Sequence, residues 1–240
     1  NTFNMLEKFT PPEARENSHE LEDTFEGPSL APIWNTKRIT EGRWEFTDEV
    51  SNDEQKVLKI TLSPGDLPSI GDKNNPRERA EISETKEISV PPETRATYSF
   101  RFYIPDDFPI EGENVVIAQI KQPVNNKEHP IISLRCYGNT LKLVVVEGDQ
   151  NETNKHKLSM PYTTNEWHSV SISYEFKKDR TGACTVTLDD QEPQTYSGHM
   201  GYDHLSREGM YFKMGIYRPA VPKEQSIYFS NFKREIEKPG

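Results

Sequence analysis

YFKMGIYRP, residues 211–219, alternates strictly between two kinds of side chain. Tyr211, Lys213, Gly215 and Tyr217 take the odd positions, and Phe212, Met214 and Ile216 the even ones. Successive side chains of a β-strand point to opposite faces. Read as a strand, the stretch turns three bulky apolar groups to one side. It turns two phenols and an ammonium to the other.

Runs of the same character recur: 43–47, 56–62, 96–104, 114–122, 131–137, 140–147, 167–176, 183–190 and 226–235. Turn formers such as SPGD, YGN and EGDQN separate them. About ten strands and no long helical periodicity predict an all-β fold. The expected form is an antiparallel two-sheet β-jelly-roll sandwich. One sheet would offer its outer face as a concave cleft for an extended polymer. No repeat, low-complexity tract or shift in composition marks a second domain. The expected division is a polar lead-in over 1–20 and one domain over 21–240.

Composition narrows the partners. The 240 residues are 32% hydrophobic and 28% charged, yet 10% aromatic, which is too aromatic for a disordered chain. A net charge of −10 argues against a nucleic-acid partner, which needs a basic footprint. It leaves room for a local basic cleft. Apolar runs such as 143–146 are too short to cross a membrane. The chain opens at Asn1 with no visible signal peptide, an opening expected of a processed or trimmed chain. Cys136 and Cys184 can form one disulfide or stand as two buried thiols.

Three strand faces collect polar chemistry. Arg77, Arg79 and Glu81 share a face in 77–83. Ile117, Gln119 and Lys121 share one in 114–122, with Ala118, Ile120 and Gln122 opposite. Lys213 and Tyr217 share the third. Arg101 and Tyr103 stand opposite Phe100, Phe102 and Ile104. Each feature alone has an ordinary reading. Arg79 and Glu81 can be a surface ion pair, Gln119 and Lys121 exposed sheet residues, and Tyr217 a core aromatic with its hydroxyl at the rim. Their occurrence together and in order argues for a site.

The blocks R-A-E-I (79–82), Q-I-K (119–121) and Y-F-K-M-G-I-Y (211–217) resemble those of the β-jelly-roll polysaccharide lyases. Alginate lyases carry an R-x-E-L type strand, a Q-I-H or Q-V-H strand and a Y-F-K-x-G-x-Y strand in this order. Glucuronan lyases and heparin lyase I share the architecture, and the third block looks especially like the heparin-lyase side. The resemblance implies a concanavalin-like sandwich that cleaves an anionic, uronate-containing polysaccharide by β-elimination. Arg79 and Gln119 would neutralise the substrate carboxylate, and Tyr217 would be the catalytic acid or base. Lys121 replaces the block-two histidine. Lys213, Tyr211, Arg77, Glu81, His129 and Arg101 are the expected substrate contacts.

A lyase of this kind needs no cofactor. The terminal stretches LEDTFEG and FSNF resemble strands that hold a structural Ca²⁺ in related sandwiches, with Glu22 as the candidate ligand. The expected substrate is glucuronan-like, with ulvan, alginate and heparin-type chains as alternatives. A non-catalytic carbohydrate-binding sandwich is the reading from another class. A glycoside hydrolase would need paired carboxylates about 5–10 Å apart, and no E-x-D-x-x-E cluster provides them. A monomer, secreted or periplasmic, suits a polymer too large to import.

β-Elimination removes the weakly acidic proton on C5 of a uronate and expels the oxygen on C4. Donors aimed at the carboxylate contribute most where charge develops in the transition state. A tyrosine working as phenolate near neutrality needs its pKa lowered by about 3 units from ~10, or about 4 kcal/mol. Arg79, Lys121 and Lys213 would supply the positive field. In glucuronate and mannuronate the proton and the leaving oxygen lie on one side of the ring, so Tyr217 can serve both. In iduronate and guluronate they lie on opposite sides, and Lys121 becomes the second group. Tyr217 as acid/base with Lys121 as electrostatic helper is the preferred assignment.

Histidines add little. His129 can reach the cleft rim. His199 and His204 sit in a loop just before the third block and read as lid, subsite or solvated residues. His168 is expected to face solvent or pack beside Trp167. No spacing suggests zinc.

Overall fold

Alternation holds through most strands. Residues 95–103 read exposed, buried and half-buried in strict turn, with Ala96, Tyr98, Phe100 and Phe102 all inside. The computed structural model describes residues 18–51, 53–68, 76–122, 129–149, 151–203 and 209–237. In chain order its strands are β1 (Ser18–Asp23), β2 (Trp34–Asn35), β3 (Trp44–Thr47), β4 (Val57–Leu62), β5 (Arg77–Glu84) and β6 (Arg95–Tyr103). Then come β7 (Val115–Lys121), β8 (Ile132–Tyr137), β9 (Thr140–Gly148), β10 (Thr153–Pro161) and β11 (Trp167–Glu175). The last are β12 (Gly182–Leu188), β13 (Gln194–Gly198), β14 (Gly201–Tyr202), β15 (Tyr211–Pro219) and β16 (Gln225–Glu237). No α-helix occurs among the described residues.

Two sheets result. The back sheet runs β13-β12-β11-β6-β16-β4-β3, with β1 also on β16. The front sheet runs β10-β9-β8-β7-β15-β5-β2, with β14 also on β9. All pairs are antiparallel except β14 with β9. Phe212, Met214 and Ile216 are fully buried, as their alternation requires. Phe212 meets Tyr98, Phe100 and Phe232 of the back sheet, and it stacks on Tyr98 at 4.4 Å between centroids. Burying such a side chain stabilises the fold by roughly 1.5–3 kcal/mol.

Polar ties cross the same interior. Glu84 of β5 accepts hydrogen bonds from the Tyr98 hydroxyl, the Phe212 N–H and Arg234, each at 2.7 Å. Tyr98 and Arg234 belong to the back sheet, so one carboxylate fastens both layers. Arg218 of β15 is fully buried and paired with Glu78 of β5 at 3.1 Å.

Several expectations need correction. Ile117 does not share a face with Gln119. The register of β7 shifts between Val116 and Ala118, and Ile117 joins the core with Ala118 and Ile120. The extra residue of a bulge switches the parity of the strand. Strands β1, β2, β10, β13 and β14 fall outside the anticipated runs. β10 is mostly exposed, so it lacks the apolar alternation that marks a half-buried strand. Of the expected lead-in, residues 1–17 lie outside the described residues and 18–20 open β1. Cys136 in the front sheet and Cys184 in the back sheet are separate buried thiols, not a disulfide. Burial pushes the Cys136 thiol up to about 11.

Candidate active site

Register brings the three blocks together. β15 lies between β5 and β7. Across it, Tyr217 stands opposite Arg79, Lys213 opposite Gln119, and Tyr211 opposite Lys121. All six occupy the outer face of the front sheet, because their strand neighbours Phe212, Met214 and Ile216 fill the core.

Gly215 explains how the strands come so close. Its φ is +142°, and a Cβ there would sit 2.1 Å from the Ala80 carbonyl oxygen. It stands opposite Glu81, and the missing side chain leaves room for the β5 backbone at Ala80 and Glu81. Glu81 is 1% exposed. It accepts a hydrogen bond from Gln119 Nε2 at 2.5 Å and lies 4.0 Å from Lys213 Nζ. It therefore supports two neighbours from beneath rather than presenting itself as a contact on the face.

Cations dominate the rest. The guanidinium carbons of Arg77 and Arg79 lie 4.7 and 4.9 Å from the centre of the Tyr217 ring. Among the described residues neither arginine has a carboxylate within 4.0 Å, and Arg77 Nε and Nη2 are buried without a hydrogen-bond partner. Burial pushes the Lys121 ammonium down to about 8, helped by Lys213 and Arg79 and opposed by Glu81. Lys213 is lowered too, by burial first, with Glu81 opposing and Arg79 and Arg38 adding. Burial raises the Tyr211 phenol, against the pull of Arg38.

Tyr217 and Lys121 stand six residues apart along β15, or about 20 Å of extended chain. Arg79 links them, since it touches the Tyr217 ring and acts on Lys121. The assembly can grip a carboxylate, screen developing negative charge and exchange a proton through a phenol or a lysine with a lowered pKa.

Other predicted residues lie elsewhere. Arg101 is on the back sheet between Ser169 and Ser230, with its guanidinium 5.2 Å from the Trp167 ring centre. It does not join the cluster, because parity along a strand says nothing about which sheet the strand enters. His129 is exposed ahead of β8, and residues 123–128 before it lie outside the described residues. Glu22 is exposed on β1 opposite Lys233. The neighbouring Asp23 carboxylate already accepts from the Phe25 and Ala31 N–H groups and from Trp34 Nε1. Among the described residues no group of three or more His, Cys, Asp or Glu could hold a metal ion.

His168 is buried rather than solvated, bonded to Asp189 and to the Thr163 carbonyl, each at 2.7 Å. His199 bridges Glu147 and Asp203 at 2.9 and 3.1 Å. His204 lies outside the described residues. Sequence reading missed Arg38, Arg135 and Lys155. Arg135 carried a signal: it shares parity with Ser133 and Tyr137 inside an otherwise apolar strand. Arg38 carried none, being a loop residue whose carbonyl accepts the Glu81 N–H.

Comparison with known proteins adds the family. A family model described as "Polysaccharide lyase" matches residues 24–233. No curated protein matches the chain. Among solved structures, an endo-β-1,4-glucuronan lyase from the fungus Trichoderma reesei superposes with a TM-score of 0.65 at 14% identity, covering 85% of this chain and 90% of that one. A protein of unknown function from Shewanella oneidensis MR-1 gives 0.62 at 12% identity, with 97% and 92% covered. An alginate lyase of polysaccharide lyase family 7 gives 0.59 at 10%, with 93% and 96% covered. At these identities the likeness to the solved structures is one of fold, and that fold is the expected jelly-roll sandwich.

Proposed function

Because the chain belongs to the polysaccharide lyase family, matched over residues 24–233, we propose that it cleaves a glucuronan-like polymer by β-elimination on the outer face of the front sheet. The observation that carries this reading is the Tyr217 ring, flanked by the Arg77 and Arg79 guanidinium groups at 4.7 and 4.9 Å. Arg79 grips the substrate carboxylate with two N–H groups. Gln119 adds a third donor, since Glu81 engages its amide nitrogen once and leaves one N–H for the ligand. Glu81 also fixes the direction of that amide.

The Tyr217 phenolate takes the C5 proton, and the electron pair of that C–H bond forms the C4–C5 double bond. The C4–O bond breaks, and the phenol returns its proton to the leaving oxygen. One group serving both steps requires proton and leaving oxygen on one side of the ring, as in glucuronate. The glucuronan specificity of the T. reesei lyase, with its TM-score of 0.65, points the same way. A polymer of this size is met outside the cytoplasm, so a secreted or periplasmic site of action goes with the reading.

Elimination leaves an unsaturated uronate that absorbs in the ultraviolet. Screened on uronate polymers, the enzyme is expected to give that absorbance most strongly on glucuronan. Tyr217→Phe should lose about 10²–10⁴-fold in kcat with the fold intact. Full activity in that variant overturns the assignment. Lys121, at about 8, favours a second reading: it removes the proton of iduronate or guluronate from the other side while Tyr217 protonates the leaving oxygen. That reading predicts a preference for those sugars and a rate that rises with pH through about 8, a rise that Lys121→Met abolishes.

A further inference from the structure

We propose that Arg135, together with Arg77, holds a second anionic group of the substrate, on the sugar next to the one that loses its proton. The enzyme would then read negative charge on consecutive sugars. This rests on the assignment of the outer face of the front sheet as the catalytic site.

Register places Arg135 beyond Tyr217. Tyr217 pairs with both Arg79 and Val116, and Val116 pairs in turn with Arg135. The phenol thus stands between two guanidinium groups on one row of the sheet. Arg79 and Arg135 are three strands apart, about 14 Å between backbones. Arg79 closes part of that gap, with its guanidinium carbon 4.9 Å from the Tyr217 ring centre.

The partners of Arg135 are neutral. It is 8% exposed; its Nε donates to Ser133 Oγ at 2.8 Å and its Nη1 to Asn114 Oδ1 at 3.1 Å. These contacts aim the group without cancelling its charge. Among the described residues no carboxylate lies within 4.0 Å of Arg135 or Arg77. The contrast with the interior is sharp, because buried Arg218 and Arg234 each hold a glutamate. Arg77 adds two buried N–H groups with no partner.

Mutual repulsion agrees with the geometry. Burial lowers the Arg135 guanidinium, and nearby Arg77 lowers it further while Tyr137 opposes. Lys155, at the exposed edge, is lowered by burial and then by Arg135, Lys157 and Arg77. A chain with 39 acidic and 29 basic side chains has carboxylates to spare, yet none is set beside this group. Crowded, uncompensated cations are unfavourable until an anion arrives.

The test pairs a protein change with a substrate change. Wild type, Arg135→Gln and Arg135→Lys are assayed on glucuronan and on glucuronan whose carboxyls are partly reduced to alcohols. Binding of glucuronate oligomers to Tyr217→Phe, with and without Arg135→Gln, is measured by calorimetry. Arg135→Gln should raise KM about 10- to 100-fold, the weight of one charge-assisted contact, with a smaller fall in kcat. Arg135→Lys should recover part of the loss. The losses from Arg135→Gln and from carboxyl reduction should fall short of adding, because both remove the same contact. Fully additive losses, or a fall in kcat at constant KM, overturn the proposal. If no uronate polymer yields the unsaturated product, the catalytic assignment fails. The calorimetric arm still decides for Arg135: oligomer affinity unchanged by Arg135→Gln overturns it.

Discussion

Two sets of arginines sit back to back on β5 and β15. Arg218 follows Tyr217 directly, and Glu78 lies between Arg77 and Arg79. Toward the core, Arg218 is fully buried and donates to Glu78 at 3.1 and 3.3 Å, to Gln225 at 2.7 Å and to the Val221 carbonyl. Toward the outer face, Arg77 and Arg79 flank a phenol and have no carboxylate within 4.0 Å among the described residues. One peptide step thus separates a cation answered by a carboxylate within the fold from cations with none among the described residues. Under the proposed function, a carboxylate partner marks the structural arginine and its absence marks the binding one.

Substitution separates the two most widely. Arg218→Met leaves the Glu78 carboxylate buried and uncompensated, at a cost of about 3–5 kcal/mol in unfolding free energy. Arg79→Met removes a repelling cation, so stability should hold or rise, while kcat/KM on the best substrate falls about 10²–10³-fold. Denaturant unfolding and the ultraviolet assay on the same two variants measure both effects. If Arg79→Met destabilises as much as Arg218→Met, the distinction between the two sets collapses.

How much of this was legible follows from where each force acts. Residues 211–217 could be read because alternation is a local consequence of burying one face, and the sandwich buries that face throughout. Opposition of Arg79 to Tyr217 and of Gln119 to Lys213 depends on strand order, which no single stretch encodes. The bulge at Ile117 was invisible, since an apolar residue suits either parity until the neighbouring register is known. β10 escaped because an edge strand exposed on its outer side needs no apolar repeat. Arg101 misled for the complementary reason: its alternation was right, but β6 belongs to the back sheet.

Lys121 sharpens the comparison by a smaller amount. Its ammonium is pushed down to about 8 by burial, Lys213 and Arg79, against ~10.4 in an unfolded chain. Below about 8 both states carry the proton, and the folded state holds it at a penalty. Between about 8 and ~10.4 the unfolded chain binds more protons, so this group's contribution to stability rises with pH. Lys121→Met should therefore stabilise the protein at pH 7, by something on the order of 1–3 kcal/mol. The gain should shrink to nothing near pH ~10. Urea unfolding at both pH values measures it. A gain independent of pH would trace to packing and remove Lys121 from the strained set.

Arg101 should give the smallest effect. Its guanidinium rests 5.2 Å from the Trp167 ring centre, beside a cavity of about 30 Å³ lined also by Asp53 and Ser230. That space suits about one water and no sugar. The ring contact is worth roughly 0.5–1 kcal/mol at such a site. Arg101→Ala should accordingly lower stability by no more than that and leave KM on the polymer unchanged. Melting and steady-state kinetics on one preparation check both. A tenfold rise in KM would mean that substrate also reaches the back sheet, and lack of a carboxylate partner on the front face would then cease to locate the ligand.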